Sequence, residues 1–148
     1  MALLTGEDVV SAVSRKVRST FSTAEIKAIY KDLPQQNIQK PYAFIHQVNA
    51  THTNQLRNTA RWGFIIDIRV HPDDKQTNVQ TWARDIGNRL IGAVNIITID
   101  GKPVKSTSLE CKVEDNVLHC IVSYSYRVLH IEDEAPDMGT LTYGDKVK

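Results

Sequence analysis

Arg57 to Val70 reads RNTARWGFIIDIRV, and Pro41 to Ala50 reads PYAFIHQVNA. Side chains alternate between the two faces of a strand, so every second residue shares one environment. In the second stretch Trp62, Phe64, Ile66, Ile68 and Val70 fall on one face, and Arg61, Gly63, Ile65, Asp67 and Arg69 on the other. In the first, Tyr42, Phe44, His46 and Val48 supply the matching apolar face. Two such segments in succession predict a long antiparallel hairpin with one side buried and one side wet. Its connection, Thr51 to Asn58, is polar and has neither Gly nor Pro. It is longer than the tightest hairpin turns, so it is expected to project from the body.

Upstream, Thr5-Gly-Glu-Asp precedes VVSAVSRKV. This predicts a helix capped by Thr5, with Glu7 and Asp8 at its positive end. Val9, Val10, Val13 and Val17 form its apolar stripe, closed by Phe21. Glu25 to Lys31 predicts a short strand. Downstream, His71-Pro72-Asp73-Asp74 stops the hairpin, and Asp73 or Asp74 is expected to cap a second helix over about 76–92. Its apolar face is Val79, Trp82, Ala83, Ile86 and Leu90. Val94 to Ile99 predicts another strand, and Asp100-Gly101-Lys102-Pro103 a turn.

Thr107 to Val113 and Val117 to Leu129 then predict a second hairpin around Asp115-Asn116. A two-residue turn there sets Val113 against Leu118, Cys111 against Cys120 and Leu109 against Val122. Every pair joins apolar residues on one face, so the register is self-consistent. The fold expected is therefore α+β: a mainly antiparallel sheet of about six strands with two helices packed on one face. Residues 1–130 form a single domain, and 131–148 an acidic, aperiodic C-terminal arm. A plain frayed tail is one reading of that stretch; Met138, Leu141 and Tyr143, more apolar material than a solvated tail needs, point to the other, a docking arm,.

A chain of 148 residues is long enough for one domain with its own core,. A formal net charge of +1 gives no support to a bulk electrostatic nucleic-acid binder,. No apolar run approaches a membrane span. Met1 to Gly6 lacks a secretory pattern, which makes the cytoplasm the expected place of synthesis. The chain has no phosphate-cradling glycine loop, HExxH, CxxC or GxSxG. No catalytic, cofactor-binding or metal residues are therefore nominated. His46 reads as a hydrogen-bonded core histidine, His119 as exposed, and His52 as part of the bend without a carboxylate near it in sequence. Asp67, between Arg61 and Arg69, reads as a rung of a surface charge ladder. Cys111 and Cys120 are expected as buried thiols. The sites that remain are contact elements: Asn54, Gln55, Leu56 and Arg57 at the bend, Arg61 beside it, and Met138, Leu141 and Tyr143 in the arm.

Ile29-Tyr30, Gln39 to Ile45, Arg61 to Asp74 and Asp115 to Tyr126 occur in an order, with a strand–proline–acidic–helix junction, that resembles a known family. It is similar to the small tail-terminator proteins of tailed bacteriophages and of defective, phage-like elements of Gram-positive bacteria. The resemblance covers about Val9 to Leu129. It implies a structural virion protein, not an enzyme, in a ring usually of six subunits at the head-proximal end of the tail. It also implies contacts with the tail tube protein, the neck or connector and, in contractile tails, the sheath. DNA would pass through the lumen without specific binding. Competing readings are another neck ring, a head–tail adaptor or a tail-completion protein, and a small non-viral α+β ligand-binding protein.

Overall fold

The computed structural model describes residues 6–129. The expected cap at Thr5 and the expected arm, with Met138, Leu141 and Tyr143, lie outside the described residues. The helix α1 (Gly6–Thr20) carries Glu7 and Asp8 in its first turn and buries Val9, Val10, Ala12, Val13 and Val17. Its valines are poor helix formers, so packing of this face holds it. Phe21, 2% exposed, closes the apolar stripe as expected.

The strand expected over Glu25 to Lys31 is shorter, β1 (Ala28–Tyr30). Glu25 and Ile26 are used otherwise. The Ile26 amide bonds back to the Ser22 carbonyl at 2.9 Å, and the Ser22 amide donates to the Glu25 carboxylate at 3.0 Å. The chain therefore turns before it can extend. β1 pairs in parallel with the first three residues of β2 (Tyr42–Gln55), Ala28 facing Tyr42.

β2 and β3 (Thr59–His71) form the long hairpin. The faces of β2 differ from expectation. Ala43 and Ile45, both fully buried, face Val70 and Ile68 on the helix side, while Tyr42, Phe44 and His46 lie opposite His71, Arg69 and Asp67 on the other face. A bulge between Gln47 and Asn49 then shifts the phase, bringing Ala50 and His52 opposite Phe64 and Trp62. A one-residue offset moves every side chain to the other face. Tyr42 still reaches 5% exposure by stacking on His71 at 4.4 Å and meeting Tyr30 edge-on at 5.6 Å.

The second helix, α2 (Val79–Val94), begins three residues later than expected and is not capped by an aspartate. Asn78 occupies the cap in the left-handed region without a side-chain bond. The Asp73 carbonyl instead accepts from the Gln76 amide at 3.0 Å, closing a turn. The helix buries Ala83, Ile86, Gly87, Leu90 and Val94; Val79 and Trp82 are half-buried. Val94 thus ends the helix rather than beginning a strand, and its carbonyl accepts the Tyr124 hydroxyl at 2.6 Å. β4 (Ile96–Ile99) turns at Asp100-Gly101, both at positive φ (52° and 76°), directly into β5 (Lys102–Glu114). Two left-handed residues make a tight hairpin turn, so β5 starts at Lys102 rather than at Thr107.

β5 and β6 (Val117–Leu129) pair as expected, Val113 with Leu118, Cys111 with Cys120 and Leu109 with Val122. Asp115 and Asn116 form the two-residue turn, at φ 53° and 61°. The thiols do not remain free: Cys111 and Cys120 are joined in a disulfide, their Cα atoms 4.2 Å apart. Directly facing strand positions come close enough for that bond.

Among the described residues the strand order is β1-β2-β3-β6-β5-β4, with only the β1–β2 pair parallel. α1 touches α2, β2, β3 and β4, while α2 packs on β5 and β6. Because β2 and β4 lie near opposite ends of that order, the sheet curls around α1. One core joins both helices to the sheet, with Tyr124, Phe21, Ile26 and Leu90 among its largest buried side chains. The fold is the α+β arrangement expected.

Candidate contact surface

The far half of the hairpin leaves the body. From Gln47 to Asn54 every residue of β2 is exposed. The expected eight-residue bend is in fact a three-residue turn. Thr51 to Gln55 continue the strand, Gln55 pairs with Thr59, and only Leu56, Arg57 and Asn58 connect them. Arg57 (φ 64°) and Asn58 (φ 57°) are left-handed, which lets so short a link reverse the chain without Gly,. The Thr59 hydroxyl donates to the Leu56 carbonyl at 2.8 Å and closes the turn. Asn54 and Gln55 are therefore strand residues, while Leu56 and Arg57 form the tip. The Leu56 side chain is 88% exposed, more than any other large apolar residue described.

Among the described residues, the strand that steadies this hairpin lies along β3, and none lies along the far half of β2. β6 follows β3 to its end, Leu129 facing Thr59. On the helix-facing side His52 meets Trp62 edge-on at 4.5 Å, Trp62 stacks with Phe64 at 6.1 Å, and Phe64 with Tyr126 at 6.0 Å. Burial pushes the Tyr126 phenol up to about 12, with Asp8 adding to the shift. On the other face Arg61 lies opposite Thr53 and Arg127, and donates to the Ser125 hydroxyl at 3.0 Å. The structure thus brings Asn54, Gln55, Leu56, Arg57 and Arg61 together at one end of the sheet.

The expected charge ladder is only half present. Asp67 is 6% exposed rather than a surface residue. Its Oδ2 accepts from Arg69 Nε at 3.0 Å, while Arg61 is engaged elsewhere. His46 is not in the core. It stacks on Phe44 at 4.6 Å on the helix-free face, its Nε2 3.9 Å from Asp67, beyond hydrogen-bond reach,. A phase shift in β2 moved both readings: once Ala43 and Ile45 face the helices, His46 must come to lie beside Asp67. The alternation Ala43-x-Ile45 was the available signal.

Among the described residues, no group of three or more His, Cys, Asp or Glu is placed to hold a metal ion, and no helix is long and apolar enough to cross a membrane. A groove of about 300 Å³ runs between α2 and β5, lined by Gln80, Ala83, Arg84, Ile91, Lys112 and Val113 among others. It contains no nucleophile paired with a base.

Comparison with known proteins bears on the same question. The family described as "Phage tail terminator protein" matches residues 8–136, which take in α1 from its third residue, α2 and the six described strands. No curated protein matches the chain.

Proposed function

The chain belongs to the phage tail terminator family and is a structural component of a phage tail, and from that premise we propose that copies of it form a ring, six subunits being the expected number, that caps the head-proximal end of the tail tube. The ring stops addition of further tube subunits and offers its other surface to the neck or connector. Where the tail contracts, the last sheath ring is a further neighbour, and DNA passes through the lumen without base-specific contact. Synthesis takes place in the bacterial cytoplasm, and function in the virion.

The observation that carries this reading is the exposed end of the β2–β3 hairpin. Ordering each residue there costs roughly 1–2 kcal/mol. Leu56 and the exposed Val48 recover almost none of that inside the subunit. A neighbouring subunit or the tube end offsets it. Asn54, Gln55, Leu56, Arg57 and Arg61 are the proposed contact residues, and Met138, Leu141 and Tyr143 are proposed as a second contact element. Function here is geometry: a cap ends a stack because its top surface differs from its bottom, and no bond-making step is required.

The test is deletion of the coding sequence from the phage or tail-like element, with tail lengths measured by electron microscopy. Overlong tails of irregular length that fail to join heads are expected. Tails of uniform length that join heads normally would overturn the proposal.

A further inference from the structure

Among the described residues the sheet has two long edges without a neighbouring strand, one at each side. β1 pairs only with Tyr42, Ala43 and Phe44, so among the described residues no strand lies along β2 from Ile45 to Gln55. At the other side β4 pairs only with Lys102 to Lys105, and no described strand lies along β5 from Thr107 to Glu114. An open edge presents unpaired amides and carbonyls, and proteins usually blunt such edges with charge, proline or cover. β5 carries such charges, Glu110, Lys112 and Glu114. β2 does not: from Gln47 to Gln55 it reads QVNATHTNQ, without a Lys, Arg, Asp, Glu or Pro. An edge of that length left unguarded is built to be covered.

We infer that the β2 edge of one copy pairs with the β5 edge of the next, so that the sheet continues from subunit to subunit. This deepens the ring proposed above and rests on it for the identity of the neighbour. Three observations favour a second copy as the occupant. The first is direction. β2 is antiparallel to β3, β3 to β6 and β6 to β5, so β2 and β5 run oppositely within one sheet. A copy added head to tail, its strands upright like those of the first, therefore meets β2 as an antiparallel strand.

The second observation is the groove. It runs between α2 and β5, so a strand laid on the β5 edge sends alternate side chains toward Ile91, Val113 and Ala83. An edge strand beside a helix-walled groove is the arrangement by which extended segments are added to sheets, backbone bonds giving affinity and the groove giving selectivity. Ile91, 37% exposed, gains cover there. The third is charge. Uncharged β2 sets no like charges against Glu110, Lys112 and Glu114, whereas two β5 edges facing each other would risk doing so. The two edges are different patches, which makes the contact heterologous, and on a curled sheet such a contact closes into a ring.

The experiment places the photocrosslinker p-benzoylphenylalanine at Asn49 of the otherwise intact chain. Association is followed by sedimentation up to about 1 mM, where even weak pairing is populated, and cross-linked peptides are mapped by mass spectrometry. Intermolecular cross-links from position 49 into residues 106–114 are expected. In parallel, Asn49→Lys with Thr51→Lys restores edge guards at two exposed positions. It should weaken association at least tenfold, with the thermal midpoint unmoved. Monomers throughout, cross-links to any other surface, or unaltered association of the lysine variant would each overturn the inference. Its failure is separable from that of the ring reading: if the lysine variant still gives tails of normal length, the edge pairing falls and the terminator role stands. If deletion of the whole chain leaves tail length unaltered, the role falls whatever the cross-links show.

Discussion

Arg89 on α2 grips Glu25 with both ends of its guanidinium, Nη1 on Oε2 and Nη2 on Oε1, the latter at 3.1 Å. The same Nη2 donates to the Thr20 carbonyl at 3.2 Å, and the guanidinium lies 4.6 Å from the centre of the Phe21 ring. One side chain therefore ties α2 to the C-terminal end of α1 and to the turn that prevents β1 from starting earlier.

That pair sets an acid limit. The hydrogen bond from Arg89 holds the Glu25 carboxyl down at about 2, against 4.5 for an ordinary glutamate. A depressed carboxyl contributes stability above its unfolded pKa and loses it as pH falls toward the folded value. The contribution should therefore be intact above about pH 4.5 and drain away between there and about pH 2. Both side chains are about a third exposed, so solvent screening limits the pair to about 0.5–1 kcal/mol,. Urea melts of Glu25→Gln should show that loss at pH 7 and a flatter acid limb. An acid limb identical to that of the parent chain would refute the assignment.

The faces of α2 predict an asymmetric pair of variants. Leu90 is fully buried, so Leu90→Ala should cost about 2–5 kcal/mol,. Gln80 lines the open groove, and Gln80→Ala should stay within about 0.5 kcal/mol,. Trp82 is only half-buried, which puts Trp82→Ala below about 3 kcal/mol, the lower bound for a buried tryptophan,. Denaturant midpoints measure all three. Equal costs for Leu90 and Gln80 would mean that the helix is rotated.

The disulfide gives a third prediction. Cys111 and Cys120 are nine residues apart, a loop short enough that closing it is worth about 2–3 kcal/mol in the chain-entropy account,. Purified protein should take up no alkylating reagent until reductant is added. Reduction, or Cys111→Ser with Cys120→Ser, should lower the thermal midpoint. Two thiols titrating without reductant would show that the facing cysteines are unbonded.

The β5–β6 register was readable because Asp115-Asn116 leaves only one way to join two apolar faces. β2 was not, for two reasons. Both its alternations carry apolar residues, and the aromatic one, Tyr42 and Phe44, is the one that faces away from the helices. The bulge at Val48 then breaks the alternation midway, and no local residue type announces it. At the contact surface, the tip was legible from polarity and the lack of apolar periodicity. The open edge of β2 was not, because it depends on where a different strand, β1, stops. Asp67 gave no sign of burial: its bond to Arg69, two residues on, was within reach of the sequence, but His46 and Ile121 face it from neighbouring strands.

The last prediction separates a contact element from a bland loop. Leu56 touches little within its own subunit and Arg57 sits at φ 64°, so a fair variant must remove chemistry without straining the turn. Leu56→Ser removes the exposed apolar side chain. Arg57→Asn removes the charge and keeps a residue that tolerates the left-handed region. Neither position contributes to the core, and the Thr59 bond that closes the turn uses the backbone of residue 56. The double variant should therefore melt within the small range expected of surface changes, about 0.5 kcal/mol. In complementation of a deletion, it should nonetheless fail to cap, leaving tails of irregular, excessive length that do not join heads. A variant that folds normally and restores tails of uniform length would show that the tip is not a working contact. The cap would then have to engage the tube through another part of the subunit.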